Sequence, residues 1–479
     1  MMKRLSSLLL LAVAGCTPSR PAPEPDPEPE KPAPGSGPKL AVLLVVDQMR
    51  GDFLSRWDGL YAKDGFKRLV GEGASFTECH YPYANTMTGP GHATVSTGCL
   101  PSVHGIVANE WHDRFTGKEV NCAHSPRFSQ VPPAPPPKDP KKKPVGIGPD
   151  LLLAPTFGDA LKLATGGRGK VVSLSLKDRS AVLPTGRSKP DAVYWADANG
   201  RFVTSTAYRD SLHPWVKEFN AAGLAASWKG KSWDRLKPEA VYLKHAGLDD
   251  VRGEVALVQG GRAFPHPYIG GKGKEQAGYA AAVAASPAGN ELLFALARKA
   301  IDAEKLGQRG EPDFLQVSFS SNDLVGHAFG PDSHEVLDIT LRTDLIVRDL
   351  LALLDEKVGK GNYLVVMTAD HGICPLPEVA RKQGAEGWRM PPKPLLAAAE
   401  LYLNQRFPGD EEKAVWIEAS VSNMMYLNRG LAKSRGTTVE EAAKELAAWL
   451  ARQPGFQRAY AQADLAGQVP DDDDLGRRW

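Results

Sequence analysis

Three short segments combine carboxylates and imidazoles at spacings that suit metal binding. Asp370 and His371 are adjacent in TADHG, Asp323 and His327 occur together in NDLVGHAFGP, and Asp47 lies in VVDQMR. Hard carboxylate oxygens together with borderline imidazole nitrogens suit divalent transition metals, and zinc suits this mixture best. These residues therefore predict a site for a pair of Zn²⁺ ions and, with it, a two-metal hydrolase.

Each of the three aspartates follows an apolar run. Asp47 follows KLAVLLVV, whereas Asp323 and Asp370 come shortly after DFLQVSFSS and NYLVVMTA. Such runs are typical of buried parallel strands, and open α/β sheets bind ligands at the carboxyl ends of their strands. A single aspartate after a strand is at least as often a helix cap or a turn residue. Three matching contexts instead predict an α/β fold whose central, mostly parallel sheet is flanked by helices and carries the site at one edge.

The remaining chain reads as ordinary globular material. Of its 479 residues 42% are apolar and 24% are charged, and the net charge of +2 offers no basic stripe, which argues against a nucleic-acid partner. Apolar residues recur at helical spacing from Leu337 to Leu354 and predict a helix that covers the sheet. Residues from about 183 to 285 are rich in Trp, Tyr, Gly and Pro and lack the pattern of a strand followed by an acid. We expect them to form a cap inserted into the core domain.

The candidate nucleophile is Thr88 in NTMTGPGHATVSTG. It is followed by Gly89, Pro90 and Gly91, and then by residues that can start a helix. A hydroxyl at that place faces free amides and the positive end of the helix dipole, which favour an alkoxide and bound phosphate oxygens. For an isolated threonine before Gly-Pro, a simple helix N-cap would be the better interpretation. The metal-binding pattern elsewhere favours the nucleophile.

Seven segments, taken in chain order, resemble the alkaline phosphatase superfamily. They are VVDQMR, TMTGPGHATVSTG, HGIVANEW, SLKDRSAVLP, DAVYWAD, NDLVGHAFGP and TADHG. Within the superfamily they are similar to exported bacterial alkaline phosphatases that have a threonine nucleophile and are related to type I phosphodiesterases/nucleotide pyrophosphatases. The resemblance covers roughly residues 39–470 and implies an alkaline-phosphatase-like catalytic domain over 39–479.

The resemblance also implies how the site residues divide between the metals. It assigns two groups of residues to one zinc ion each: Asp47, Thr88, Asp370 and His371 to the first, and Asp323 and His327 to the second. It further implies that Asn109, together with the turn at Gly89, binds oxygens of the transferred phosphoryl group. Without the surrounding HGIVANEW context, Asn109 would be interpreted as a turn residue.

The implied reaction is the hydrolysis of small phosphate monoesters. Thr88 would take the phosphoryl group, and water would then hydrolyse the phosphothreonine. A monoester presents one more negative oxygen than a diester, and Lys177 and Arg179, two apart on an expected extended segment, would supply positive charge for it. On charge alone, a Lys-Asp-Arg triplet is usually solvated surface.

Two alternatives remain open. A phosphodiesterase or nucleotide pyrophosphatase would use the same metals and Thr88 but would lack the pair of Lys177 and Arg179. An inactive lipoprotein with a degenerate phosphatase fold is the second. A sulfatase fits less well, because the C/S-x-P-x-R context of its modified residue is absent around Thr88.

The N-terminus predicts export. Lys3 and Arg4 precede a short apolar run that ends in VAGC, too short to span a bilayer, so residues 1–15 are expected to be a signal peptide. The four residues resemble a bacterial lipobox, in which Cys16 is lipidated; the alternative is an ordinary signal with a chance cysteine. Residues 16–38 are rich in Pro and Glu and predict a semi-rigid tether. We expect a catalytic domain anchored to the bacterial envelope by lipid, on its periplasmic or cell-surface side.

Cys79, Cys99, Cys122 and Cys374 are the remaining cysteines. An even number in an exported protein permits disulfides, with three possible pairings among which the sequence does not choose. Zinc ligation by these cysteines is not expected, because none of them forms a C-x-x-C pair.

One ligand implied by the resemblance has no match. The resembling enzymes take a further histidine for the second zinc from a Thr-His-Gly-like segment, yet no histidine follows His371. We therefore expect either a truncated product or a degraded second site, with weak second-zinc binding and low activity, since catalytic zinc usually has three protein ligands. His334 is expected to be a surface residue near a helix start and not a substitute ligand.

Overall fold

A computed structural model of the chain describes residues 37–136, 145–256, 261–269, 275–409, 414–467 and 469–479. The predicted signal peptide, Cys16 and all but the last two residues of the predicted tether lie outside these ranges. Among the described residues, no single helix is both long and apolar enough to cross a membrane, although the bent pair of Gly278–Ala284 and Pro287–Glu304 meets both criteria when taken together. The four cysteine thiols from Cys79 onward are free.

Strands and helices are interspersed along the described chain. The strands are β1 (Leu40–Val46), β2 (Glu110–Asp113), β3 (Lys118–Asn121), β4 (His124–Ser125), β5 (Gln130–Val131), β6 (Gly146–Ile147), β7 (Val171–Ser175), β8 (Ala192–Ala196), β9 (Phe202–Ser205), β10 (Ser232–Trp233), β11 (His266–Pro267), β12 (Asp313–Phe319), β13 (Tyr363–Thr368), β14 (Ile417–Val421) and β15 (Met424–Leu427). The helices are α1 (Phe53–Arg56), α2 (Phe66–Glu72), α3 (Thr88–Thr97), α4 (Pro101–His104), α5 (Phe157–Ala164), α6 (Asp178–Val182), α7 (Pro214–Ala222), α8 (Glu239–Ala246), α9 (Glu275–Ala284), α10 (Pro287–Glu304), α11 (Ser321–Phe329), α12 (His334–Lys357), α13 (Pro377–Lys382), α14 (Pro392–Arg406), α15 (Arg429–Ser434), α16 (Val439–Leu450) and α17 (Gln462–Leu465).

The central sheet has seven strands in the order β13-β1-β12-β7-β8-β9-β5. The first five are mutually parallel; β9 runs antiparallel to β8, and β5 runs antiparallel to β9 and so in the direction of the first five. In the register, Val46 of β1 pairs with Phe319 of β12, and Val45 pairs with Thr368 of β13. The carboxyl ends of β1, β12 and β13 are therefore level, so the residues that follow them meet at one edge of the sheet.

β1 shows why the sheet is covered on both faces. Its side chains point alternately to opposite faces: Val42 and Leu44 pack in the largest apolar cluster with residues of α10 and α12, whereas Leu43 and Val45 pack in a smaller cluster against α3 and α5. Complete burial of an aliphatic side chain of this size contributes about 1.5–3 kcal/mol. An uninterrupted apolar run is the sequence that such a two-sided environment requires.

The strand β13 differs from the buried strand that its sequence predicts. It lies at the edge of the sheet, and the side chains of Leu364 and Val366 are 52% and 48% exposed. An apolar run reports the hydrophobicity of a strand and not its place in the sheet, so the prediction of a strand is correct and that of full burial is wrong.

The predicted cap also needs correction. β8 and β9 lie within residues 183–285, yet both are strands of the central sheet. Both strands are short, and β8 carries Tyr194 and Trp195, so neither has the long aliphatic run that predicted β1, β12 and β13, although Asp197 directly follows β8. Outside the sheet, the range contains α7, α8, α9 and the two-stranded β10-β11 sheet.

The helix predicted from Leu337 to Leu354 lies within α12. Ser333 caps α12, because its hydroxyl accepts a hydrogen bond from the Val336 amide at 3.2 Å. His334, expected at the surface, is instead buried, and its Nε2 lies 2.8 Å from the Gly247 carbonyl oxygen. A polar residue at a helix start gives no local signal of burial when the covering segment comes from elsewhere in the chain.

Candidate active site

Three aspartates meet at the carboxyl edge of the sheet, and all are buried. Asp47 directly follows β1, and Asp370 comes two residues after β13. Asp323 differs from the expected strand end, because it lies in the first turn of α11. Its helical position brings His327, one turn later, onto the same face, with His327 Nε2 3.1 Å from Asp323 Oδ1.

His371 joins the three carboxylates. Its Nε2 lies 3.3 Å from Asp47 Oδ1 and 3.7 Å from both Asp323 Oδ1 and Asp370 Oδ2. One ligand atom each from Asp47, Asp323 and His371 lie within 4.8 Å of one another, which makes these residues a candidate metal site. The resemblance assigned Asp323 to the second zinc ion, apart from Asp47 and His371. In the structure, Asp323 lies beside both of these residues.

Two carboxylate oxygens in this cluster fit a bound cation. Asp47 Oδ1 and Asp370 Oδ2 are buried and accept no hydrogen bond from the described residues. Buried carboxylate oxygens are normally paired, and divalent metals bind such oxygens. His327, in contrast, is 69% exposed, and among the described residues its one ion-pair contact with the cluster is to Asp323.

Lys177 supplies positive charge at the centre of the cluster. Its Nζ lies 2.7 Å from Asp47 Oδ2, 2.6 Å from Asp323 Oδ2 and 3.5 Å from Thr88 Oγ1. Burial lowers the pKa of Lys177, but the charges of Asp47 and Asp323 outweigh burial and leave the pKa raised. The ammonium group therefore stays charged beside the candidate nucleophile.

The expected extended segment around Lys177 and Arg179 is wrong. Lys177 is the N-cap residue of α6, and Arg179 lies in the first turn of that helix. Both residues nevertheless line one cavity of about 390 Å³. The closest carboxylate oxygen to Arg179 is Asp178 Oδ1 at 3.9 Å, and Arg179 Nε is buried without a hydrogen-bond partner among the described residues. The guanidinium is thus available to an anion.

Thr88 lies where the chain turns into α3. It is the first residue of the helix, is buried, and places Oγ1 3.4 Å from His371 Nε2. The Gly89 amide, which points out of the helix start, donates to Asn109 Oδ1 at 2.7 Å. A Cβ at position 89 would lie 2.9 Å from Cys122 Sγ, so this close approach requires glycine. Thr88, Gly89 and Asn109 are therefore brought together as the resemblance implied.

His92 is a site residue that the sequence reasoning missed. It is buried one turn after Thr88 in α3, and its Nδ1 lies 2.9 Å from the Thr88 carbonyl oxygen and 3.2 Å from Asp370 Oδ2. Both neighbours are acceptors, so Nδ1 carries the hydrogen, while Nε2 lies 2.8 Å from Ser318 Oγ. The helical spacing of Thr88 and His92 was the available signal.

The electrostatics keep these carboxylates ionised. Burial raises the pKa of Asp370, but the neighbouring His371 and His92 outweigh burial and lower it below its ordinary value. Burial and the charge of Asp47 raise the pKa of Asp323, yet the hydrogen bond from His327 and the charge of Lys177 leave it lowered. A cluster of ionised, buried carboxylates is suited to binding cations.

Comparison with known proteins agrees with this arrangement. The family described as type I phosphodiesterase / nucleotide pyrophosphatase matches residues 41–389. The alkaline phosphatase PhoV of Synechococcus elongatus is 38% identical over 355 residues, which are 72% of this chain and 61% of the relative. The alkaline phosphatase PafA of Elizabethkingia meningoseptica is 39% identical over 346 residues, which are 70% of this chain and 60% of the relative.

Solved structures give the same result. The crystal structure of wild-type PafA superposes with a TM-score of 0.82 and 32% identity, covering 92% of this chain and 83% of that chain. A PafA variant with one Thr, one Asn, one Lys and one Arg substituted gives a TM-score of 0.81 and 31% identity over the same shares. The α/β fold of alkaline phosphatase type predicted from the sequence is thereby confirmed.

Fold and matches together define a member of the alkaline phosphatase superfamily of hydrolases. More narrowly, the chain belongs to the type I phosphodiesterase/nucleotide pyrophosphatase family. It spans about 60% of the length of the curated relatives PhoV and PafA.

Proposed function

We propose that the chain is a zinc-dependent phosphomonoesterase that acts through a phosphothreonine at Thr88. The observation that carries the proposal is the position of Thr88 Oγ1, which lies 3.4 Å from His371 Nε2 and 3.5 Å from Lys177 Nζ. A hydroxyl at a helix start, beside a fixed cation and a cluster of ionised carboxylates, is the arrangement that a phosphoryl-transfer nucleophile needs.

The donor set supports two zinc ions. Asp47, Asp370 and His371 would hold one and Asp323 and His327 the other, and when bound such ions lower the pKa of a hydroxyl and stabilise charge on the transferred group. The unpartnered oxygens of Asp47 and Asp370 support the first of these positions. We expect weaker binding at the second, because His327 is 69% exposed and three protein ligands are the usual number for catalytic zinc.

Residues of the chain itself would then carry out nucleophilic attack and bind the phosphoryl oxygens. The Thr88 hydroxyl loses its proton, and Oγ forms the new bond to phosphorus while the bond to the ester oxygen breaks and that oxygen leaves as the alcohol after gaining a proton. Water then adds to phosphorus as the bond to Oγ breaks, which returns the Thr88 hydroxyl and releases phosphate. The Gly89 amide donates to Asn109 Oδ1 at 2.7 Å, which holds Asn109 beside Thr88, where its carboxamide nitrogen would donate to a phosphoryl oxygen. Lys177 and Arg179 would bind the further anionic oxygen of a monoester. The residue types substituted in the PafA variant are the types found at Thr88, Asn109, Lys177 and Arg179.

Matched substrates test the specificity. Replacing Lys177 and Arg179 together by Ala should reduce kcat/KM for a monoester by about 2–5 kcal/mol of transition-state stabilisation, and change hydrolysis of the matched diester much less. Arg187→Ala, at an exposed arginine beyond α6, is the control. Equal losses on both esters would overturn the monoesterase assignment and favour a diesterase.

The covalent step has its own test. Thr88→Ser should retain a phospho-enzyme that can be trapped at low pH with labelled phosphate monoester, whereas Thr88→Ala should form none. Trapped label at a residue other than position 88, located by peptide mass spectrometry, would contradict the assignment of the nucleophile.

We also propose that lipid at Cys16 anchors the domain outside the cytoplasm. The lipobox-like VAGC and the Pro/Glu-rich segment that follows support this location. Cys16→Ala should release the protein from membrane fractions and abolish palmitate labelling. Cys79→Ala, at an exposed cysteine, serves as the control, and unchanged membrane association of the Cys16 variant would exclude the anchor.

A further inference from the structure

Gln48 has an unusual backbone conformation at the centre of the site. It directly follows Asp47, is 4% exposed, and has a φ of 68°. In the left-handed region the Cβ of a non-glycine residue approaches the following carbonyl oxygen, so the conformation is strained. Such strain persists only where surrounding contacts fix it, and it is common at functional sites.

The contacts of Gln48 explain what fixes it. Its backbone amide donates to Asp370 Oδ1 at 3.1 Å, and its side-chain Nε2 donates to Asp323 Oδ1 at 2.8 Å. Gln48 thus hydrogen-bonds to two carboxylates from different parts of the fold: Asp370, which follows β13, and Asp323, which lies on α11. The left-handed turn is what directs the amide and the side chain towards these two aspartates.

The helix α11 leaves space for the Gln48 side chain at Gly326. A Cβ at Gly326 would lie 1.9 Å from Gln48 Oε1, while the next atoms outside Gln48 would be in ordinary contact, with Ile373 Cδ1 at 3.4 Å. Gly326 lies between Asp323 and His327 in the sequence. The absence of a side chain at position 326 therefore lets the Gln48 carboxamide rest on the helix turn that carries both residues.

We propose that Gln48 is a positioning residue that sets the separation of the two metal-binding groups. Its backbone amide orients Asp370, and its carboxamide orients Asp323. The inference rests on the proposed function, because it assigns Asp370 and Asp323 to different zinc ions. Hydrogen bonds to ligating carboxylates fix the orientation of the ligand, and their loss typically weakens metal binding by about 10- to 100-fold.

The two contacts predict an asymmetric effect. Gln48→Ala removes the donor to Asp323 but keeps the backbone donor to Asp370. Competition between the protein and a chromophoric chelator for zinc should show the weaker site losing about 10- to 100-fold in affinity, with the tighter site unchanged. Gln383→Ala, an exposed glutamine on the surface, is the matched control. Equal weakening of both sites, or no change at either, would overturn the proposal.

Gly326 allows a sharper test. Gly326→Ala alone should weaken the second site as Gln48→Ala does, because the added methyl displaces the carboxamide. In the double variant the clash is gone, so affinity should match that of Gln48→Ala alone. Additive losses would show that position 326 acts independently of Gln48 and would contradict the inferred contact.

A measurement without metal separates this inference from the proposed function. If the wild-type chain binds no second zinc, the proposed function fails. The contact is then judged by thermal unfolding of the metal-free protein. Gln48→Ala should lower Tm in the wild-type background and much less when Asp323→Asn is already present, since the charge that strengthens the hydrogen bond is then gone. An equal shift in both backgrounds would overturn the positioning role.

Discussion

Two buried clusters in this chain both combine carboxyl groups with a histidine but differ in their charge state. The sheet-edge cluster consists of Asp47, Asp323, Asp370 and His371. The second, here called the buried glutamate cluster, consists of Glu254, His266 and Glu335. Its members are also buried, and His266 Nε2 lies 2.9 Å from Glu335 Oε1.

The pKa values differ in direction between the two clusters. In the sheet-edge cluster the pKa of Asp323 and that of Asp370 are lowered. In the buried glutamate cluster, burial and then the charge of Glu335 raise the pKa of Glu254 to about 8, while burial and then Asp249 raise that of Glu335 to about 9. Burial also lowers the pKa of His266 to about 4. At neutral pH this second cluster is therefore uncharged, with Glu335 able to donate to His266.

The difference follows from the hydrogen-bond donors and positive charges around each cluster: His371 and His92 lower the pKa of Asp370, and the hydrogen bond from His327 and then the charge of Lys177 lower that of Asp323. Lys177 Nζ is within 2.7 Å of Asp47 and 2.6 Å of Asp323. Among the described residues, no Lys or Arg nitrogen lies within 4 Å of the carboxylate oxygens of Glu254 or Glu335. A buried carboxylate either has a cation or holds its proton. Carboxylates and histidines alone thus do not define a metal site, since their charge state depends on the adjacent cation.

Removing Lys177 should have the largest effect on the difference between the two clusters. Lys177→Met leaves Asp47 and Asp323 buried without their cation, and losing one partner of a buried ion pair costs about 3–5 kcal/mol. Urea unfolding of the metal-free protein should show this loss, and added zinc should recover part of it. Lys162→Met, which breaks the ion pair with Asp191 outside the site, is the control whose loss zinc does not recover. A Lys177 effect that is indifferent to zinc would contradict the cationic role.

His92 should have the next largest effect. His92→Phe keeps a ring of similar shape but removes the Nδ1 hydrogen, which is bonded to the Thr88 carbonyl oxygen and faces the Asp370 carboxylate; leaving a buried acceptor unsatisfied costs about 1–3 kcal/mol. His92→Asn, whose amide lies near the Nδ1 position, should lose less. Ser318→Ala removes only the partner of Nε2 and should cost about 0.5–1.5 kcal/mol. A larger loss for Ser318→Ala than for His92→Phe in urea unfolding would contradict this order.

The pH dependence of stability should identify the buried glutamate cluster. A carboxyl whose pKa rises from 4.5 to about 9 on folding contributes stability that is fully present below pH 4.5 and is lost as pH rises towards 9. One such proton corresponds to about 1.4 kcal/mol per pH unit. Glu335→Gln keeps a donor for His266. Its free energy of unfolding, measured in urea, should therefore fall by about 1 kcal/mol less than that of the wild type between pH 7.5 and 8.5. Identical slopes would show that Glu335 is already ionised in the folded protein.

The sequence predicted the sheet edge well because its signals are local. β1, β12 and β13 are apolar runs, and the chemistry of the residues that follow them is visible in a few letters. Gln48 was not identified from the sequence because its role depends on a left-handed backbone conformation and on the space above Gly326. Neither can be inferred from the residue type. Burial of His334 likewise depends on a segment almost ninety residues away in sequence that ends at Gly247.

The position of Lys177 at a helix start is a further feature that the sequence did not predict. Two residues apart on a strand point the same way, and this reasoning predicted a shared direction for Lys177 and Arg179. On a helix start they diverge, yet both still line one cavity because Lys177 is only the N-cap residue of α6. The geometric premise was wrong, and the role of the two residues in binding a monoester stays a prediction.

His327 should show the smallest effect on stability and still change metal binding. It is 69% exposed, and its only ion pair among the described residues is with Asp323 Oδ1 at 3.1 Å. The imidazole end of this pair is exposed, and Asp323 keeps its hydrogen bonds from Gln48 and Lys177, so His327→Ala should lower the free energy of unfolding of the metal-free protein in urea by only about 0.2–1 kcal/mol. If His327 is a ligand of the second zinc, the same variant should lose the weaker of two zinc affinities while keeping the tighter one.

His124→Ala, at an exposed histidine on β4, is the matched control for that variant and should change neither measurement. The two readouts separate ligation from structural support, because a supporting residue would lower stability before it lowered affinity. A His327→Ala protein that unfolds at much lower urea than wild type, or that retains both zinc affinities, would remove His327 from the metal site. Asp323 would then have to be grouped with Asp47 and His371, the three residues whose ligand atoms already lie within 4.8 Å of one another.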